Sequence, residues 1–186
     1  MPCDQATMTR PARTIATALL ALSLGGKASA QEAAQDGGGS FAAHLTLAVP
    51  FVSFHTPNDR QFNDHNWGGV LFYALDDHVS LAAGDFVNSY HRNTAIAGVS
   101  LTPWAIDLSS LEISPGVLAG FDLNGGYKGY DPLSPLLGAG FIKIGARDSG
   151  DPRAPFLDRL GLMATVIPGF GGGRSTAFNL ALTVRL

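Results

Sequence analysis

The sequence predicts an all-β chain, an eight-stranded antiparallel outer-membrane β-barrel. Three observations carry this. First, beyond residue 30 no apolar run is long enough for a membrane helix, although 46% of the 186 residues are hydrophobic. Second, eight runs of strand-forming residues follow one another at about 43–55, 66–75, 79–90, 94–104, 111–123, 135–145, 157–167 and 175–186. Third, large apolar residues within the runs alternate with small or polar ones, as a wall between lipid and a polar lumen requires.

Residues 1–30 are set apart. Arg10 and Arg13 precede an apolar run that closes on Ala28-Ser29-Ala30, the pattern of a secretory signal with its cleavage site. The exported chain is expected to begin near Gln31. Residues 31–42, with Gly37 to Gly39, read as a flexible leader, and 43–186 as the barrel. The single cysteine, Cys3, lies in the signal, so the exported chain is left without a disulfide, a thiol nucleophile or a thiolate ligand. Removing Arg10, Arg13, Lys27 and Asp4 from 12 basic and 15 acidic side chains leaves 9 and 14. That acidic balance argues against a nucleic-acid partner.

The first run contains "LAVPFVSFH", Leu47 to His55, in which Pro50 interrupts the alternation and cannot donate a ladder hydrogen bond. The fifth run sets Ile113, Val117, Ala119, Phe121 and Leu123 against Glu112, Ser114, Gly116 and Asp122. The last sets Phe178, Leu180, Leu182, Val184 and Leu186 against Asn179, Ala181, Thr183 and Arg185. A soluble lipocalin-like barrel is the alternative. It would have to put Asn179 and Arg185 outside and crowd every large apolar residue into one small cavity.

Short turns belong at the periplasmic end of such barrels and longer loops outside. Asp76 to His78 and Asp107 to Ser110 are then periplasmic, while "TPNDRQFNDH", "HRN", "NGGYKGYDPLS" and "PGFGGGR" fall on the outer side. "RDSGDPRAP" is long for the end on which it falls.

In this orientation His55 ends the first strand and Asn88-Ser89 the third at one outer rim. A histidine that can take a proton from a hydroxyl, beside a serine or amide that can hold a developing oxyanion, suits acyl transfer. The alternative is that these are solvated rim residues. Strict alternation places His55 and Ser89 with the lipid-facing set and Asn88 with the lumen, unless Pro50 marks a bulge that resets the parity. His44, His65, His78 and His91 lack ligand spacing, so no metal is expected. "GFGGGR" lacks the Lys-Ser/Thr of a phosphate loop and reads as a hairpin loop. Trp67 and Trp104 lie near strand ends, where interface anchors are expected.

Taken in order, "LAVPFVSFH", "RQFNDHNWGG" (Arg60 to Gly69), "FVNSY" (Phe86 to Tyr90), "IAGVS" (Ile96 to Ser100) and "VIPG" (Val166 to Gly169) resemble the outer-membrane lipid A palmitoyltransferases, PagP. The resemblance runs from Leu47 to the C-terminus. It implies an acyl pocket in the outer half of the barrel and lateral gates for lipid at Pro50 and Pro168, with Pro132 and Pro135 as candidates for a second opening. It carries the family's histidine onto His55 and its Asp-Ser pair onto Asn88 and Ser89, so Asn88 replaces an aspartate. Restoring the acid with Asn88→Asp is expected to retain or raise activity. The family's pocket-floor glycine falls on Ser100, or on Gly98 if the register differs by two. A side chain at that floor implies a donor chain shorter than palmitate. Two features depart from the family: residues 31–42 do not read as an amphipathic helix, and the last residue is Leu186 rather than an aromatic.

The resulting expectation is a monomeric acyltransferase of the bacterial outer membrane, with a phospholipid donor, lipid A as acceptor and no cofactor. The alternative is a non-catalytic structural or lipid-binding barrel of the same fold, which Asn88 favours. A lipid A deacylase on a similar barrel would need a histidine-serine arrangement late in the chain, and none is present.

Overall fold

The computed structural model describes residues 41–56, 62–128, 131, 133–147, 156–169 and 175–186. The expected signal and leader, Pro132 and most of the glycine-rich loop before the last strand lie outside the described residues.

Nine strands follow a short 3-10 turn at Phe41–His44: β1 (Leu45–Thr56), β2 (Gly68–Ala74), β3 (Val79–Val87), β4 (Asn93–Leu101), β5 (Ile106–Leu108), β6 (Leu111–Asp122), β7 (Leu136–Ala146), β8 (Leu160–Ile167) and β9 (Thr176–Arg185). All pairings are antiparallel. β1 pairs with β9, and the ladder runs through β8, β7 and β6 to β4, then through β3 and β2 back to β1. Eight strands therefore close a barrel, as the alternation predicts.

The ninth strand is the departure. The expected fourth run continues to Trp104, but β4 ends at Leu101 and β5 takes up the pairing with β6 after four unpaired residues. Pro103 lies in that gap, where a missing N–H stops the ladder. β5 is thus a broken continuation of β4 along the same neighbour.

The wall is inverted relative to a soluble protein. Leu81, Val99, Val117, Phe121, Ile142 and Leu182 are exposed on the outer surface, while Ala48, Ala82, Ser100, Ser114 and Thr183 are buried in the lumen. An apolar band around a closed ladder is what a bilayer solvates, because strand pairing satisfies most of the backbone polar groups of the wall. Trp67 and Trp104 are exposed near strand ends, as an aromatic belt requires. Midway along the lumen, Ala48, Phe141, Met163 and Ala181 pack into a cluster against Phe72 and Leu118. Gly116 is needed beside it, because a Cβ there would collide with the Phe141 ring.

The Pro50 irregularity settles the parity. Pro50 pairs with Ala181 and Val52 with Leu180, so Phe51 is an extra, bulged residue. Before the bulge Thr46, Ala48 and Pro50 share the lumenal parity. After it Ser53 and His55 do, and Phe51 and Phe54 are exposed outside. His55 faces inward because of one unpaired residue.

Two pairings stop short at the outer half. β1 pairs with β2 only through Leu45 to Ala48, and β7 pairs with β8 only from Gly140 inward.

Candidate functional site

At the end of the barrel that carries the β1–β2 and β6–β7 loops the side chain of His55 is 2% exposed, and neither ring nitrogen has a hydrogen-bond partner among the described residues. Phe62 stacks on the imidazole with centroids 4.2 Å apart. Asp64 approaches Nδ1 at 3.7 Å, too long for a hydrogen bond but close enough to favour the ring once it is protonated. Phe62 and Asp64 are placed by the segment before β2: the Ser53 N–H donates to the Asp64 carbonyl at 2.9 Å, and the Ser53 hydroxyl donates to Asn66 Oδ1 at 2.7 Å. This segment lies along the part of β1 that β2 leaves unpaired.

His55 and Ser89 line one small pocket, together with Tyr90, Tyr127, Asp131 and Pro168. Asn88 is one residue away and faces elsewhere. It is fully buried, and its Nδ2 donates to Thr94 Oγ1 at 2.9 Å and to the Gly126 carbonyl at 3.0 Å. Its Oδ1 accepts from the N–H groups of Tyr90 at 2.8 Å and Arg92 at 3.1 Å. The amide is saturated by the turn it closes and makes no contact with the imidazole. Asn63 Nδ2 donates to the Asn88 carbonyl, so three outer loops are tied to this residue.

Tyr127 belongs to the β6–β7 loop. That loop is held by the Asp122 carboxylate, which accepts from the Gly126 and Tyr127 N–H groups at 3.0 and 2.7 Å. Burial, with Tyr90 and nearby carboxylates adding to it, pushes the Tyr127 phenol well above its ordinary range, so it remains a donor at neutral pH. His55, Phe62, Tyr90 and Tyr127 form a chain of ring contacts across the mouth.

Beneath this pocket lies an apolar cavity lined by Pro50, Val70, Phe72 and Leu118 among others, with Tyr127, Asp131, Ile167 and Pro168 common to both. Leu137, Gly138 and Ala139, three β7 residues without β8 partners, also line it. The two shortened pairings, one beside Pro50 and one beside Pro168, therefore adjoin the same cavity.

Ser100 is buried in the lumen but lines a polar chamber with Thr46, Ser80 and Lys143, not the apolar cavity. Phe72 and Met163 line both spaces and separate them. Gly98 lines neither. A Cβ there would overlap the backbone of Ala119 and Gly120, so this glycine serves close strand packing. Pro135 closes the β6–β7 loop, its carbonyl accepting from the Asp122 N–H at 2.7 Å. Among the described residues no group of histidines and carboxylates is arranged to hold a metal.

Sequence reasoning did not single out Asp64, Phe62, Tyr127 or Asp131. Asp64 and Phe62 sit inside a quoted motif, whereas Tyr127 and Asp131 arrive through a loop that carries no periodic signal.

No protein-family model matches the chain, and no curated protein matches it. A de novo designed transmembrane β-barrel among the solved structures is 13% identical, over 77% of this chain and 96% of that one, with a TM-score of 0.46. The membrane assignment rests instead on the outward apolar band and the closed ladder: the chain is a transmembrane-type β-barrel of eight strands with one broken wall strand.

Proposed function

We propose that the chain is a bacterial outer-membrane acyltransferase of the palmitoyltransferase type, moving a fatty acyl chain from a phospholipid to a hydroxyl of lipid A. The observation that carries this is the imidazole of His55, buried with neither nitrogen hydrogen-bonded among the described residues, in a pocket shared with Ser89 directly above an apolar cavity. A buried polar group without a partner is costly, and such groups are retained where a ligand completes them.

In this mechanism the fatty acyl chain of the donor occupies the apolar cavity, entering sideways through the openings beside Pro50 and Pro168. Nε2 of His55 takes the proton of the lipid A hydroxyl as that oxygen attacks the ester carbonyl. The Ser89 hydroxyl donates to the developing oxyanion. The ester C–O bond then breaks, and the imidazolium returns its proton to the departing lysophospholipid oxygen. Asp64, near Nδ1, stabilises the imidazolium; Asn88 positions Ser89 and Tyr90 through the turn. No cofactor enters. Residues 1–30 serve export, and a monomer suffices because one barrel holds the whole site.

Lipid A mass spectrometry in a host lacking its own acyltransferase tests the proposal. One added acyl mass on expression, absent with His55→Ala, is the expected result. Unchanged lipid A from a correctly inserted barrel would leave the non-catalytic alternative.

A further inference from the structure

The opposite mouth, at the end of the Asp76–His78 and Ser109–Ser110 turns, holds a second chamber that the acyl-transfer proposal does not use. Its volume is about 260 Å3, against about 110 Å3 for the apolar cavity. Lys143, Arg147, Arg159 and Arg185 line it, with Glu112 as the one carboxylate of the lining. The lining is therefore strongly cationic in a chain whose net charge is −3.

Among the described residues, Asp107 and Glu112 offset part of this charge and leave a cationic excess. Arg147 is held by Asp107 at 3.4 Å outside the chamber. Glu112 accepts from the Ser114 hydroxyl at 2.7 Å and acts on Lys143 through its charge, with no ion-pair contact between them among the described residues. Arg185 donates to the backbone carbonyls of Ala146 and Asp158, which fix the guanidinium without neutralising it. Lys143, opposite Ser114 in the ladder, has no hydrogen bond or ion pair among the described residues, and it lines both this chamber and the polar one above it. Thr46 and Thr183 add hydroxyls to the wall.

We propose that this inner chamber is a binding site for a phosphate-class oxyanion, held by Lys143, Arg185 and Arg159. Three cationic side chains from β7, β9 and the turn before β8 approach from different directions, which suits a tetrahedral, multiply charged anion better than a planar carboxylate. The Phe72–Met163 partition lies between the polar chamber above and the apolar cavity, so the anion enters from this mouth. It is supplied either as free phosphate or as a lipid headgroup reaching in from the leaflet on that side. The proposal does not depend on acyl transfer.

Refolded full-length barrel in non-ionic detergent is titrated with inorganic phosphate, and separately with short-chain phosphatidylglycerol and phosphatidylcholine, by calorimetry and 31P line broadening at constant ionic strength. Saturable binding that weakens at least tenfold in Lys143→Met and in Arg185→Gln is expected. Binding of inorganic phosphate identifies the free anion as ligand. Binding only of phosphatidylglycerol, lost in the same variants, identifies the headgroup. Either result supports the site, provided the variants keep heat-modifiable migration. Lys143→Gln is the substitute if the methionine variant fails to fold. No binding by the parent barrel, equal binding by the variants, or equal competition by chloride would overturn it.

Discussion

His55 and Asn88 are buried polar side chains in opposite states: among the described residues the first has no hydrogen bond and the second has four. Their substitutions should therefore behave differently. His55→Ala removes a candidate base without disturbing any hydrogen bond among the described residues, so activity should fall about 10²–10⁴-fold with unchanged thermal migration on gels. Ser89→Ala should lower the rate about 10²–10³-fold if its hydroxyl holds the oxyanion, and the two losses should not add. Asn88→Asp reverses the expectation drawn from sequence. Both N–H donors vanish, and a carboxylate is set against the Gly126 carbonyl in a site with no water exposure. Destabilisation of about 1–3 kcal/mol in chemical unfolding is expected rather than a gain in activity. The same logic relocates the chain-length determinant. Met163 forms part of the cavity floor, so Met163→Ala should admit a donor chain longer by one or two methylenes, each worth about 0.8 kcal/mol, and shift the transferred-acyl profile. Ser100→Gly, on the far side of Phe72 and Met163, should leave that profile unchanged.

At the scale of the element, β1 shows how one residue decides the orientation of those that follow. Phe51 is unpaired, and each later pair from Val52–Leu180 to Thr56–Thr176 is regular. Deleting Phe51 should join the two halves without moving His55, preserving the fold. Inserting one alanine between Val52 and Ser53 should turn His55 to the lipid side and abolish transfer, with a spin label at Phe54 reporting the reversal. The β2–β3 turn makes a pH-dependent contribution of its own. Asp76 accepts from the His78 and Val79 N–H groups at 2.7 Å each, which holds its carboxyl below the ordinary aspartate value. A depressed folded-state value stabilises the turn above the unfolded value and loses that support as pH falls through the folded one. NMR titration of Asp76 should show the low midpoint, and Asp76→Ala should remove the acid dependence of turn-amide protection. The strands themselves were legible because a two-residue period is a strong signal. β5 was not, because Pro103 stops a ladder whose pattern otherwise continues. Partners such as Gly126 for Asn88, thirty-eight residues away in another loop, leave no trace in local spacing.

For the whole molecule, the outward apolar band and the closed ladder require an amphiphile to replace the bilayer. The barrel, residues 43–186, should refold from denaturant into detergent micelles with a β-rich spectrum and migrate anomalously on gels until boiled; a soluble monomer without detergent would contradict the architecture. Closure was readable from eight alternating runs. Where the lumen divides was not, since Ala48, Phe72, Phe141 and Met163 come from β1, β2, β7 and β8 and meet only when the barrel closes. That mid-lumen cluster has an electrical consequence. Ions that enter either mouth face a packed apolar barrier of aromatic and thioether side chains, so the protein in a planar bilayer should carry no current at either polarity. Its presence in an envelope would leave osmotic balance and small-solute exclusion intact however many copies were inserted. Phe141→Ala combined with Met163→Ala should convert that silence into a measurable leak.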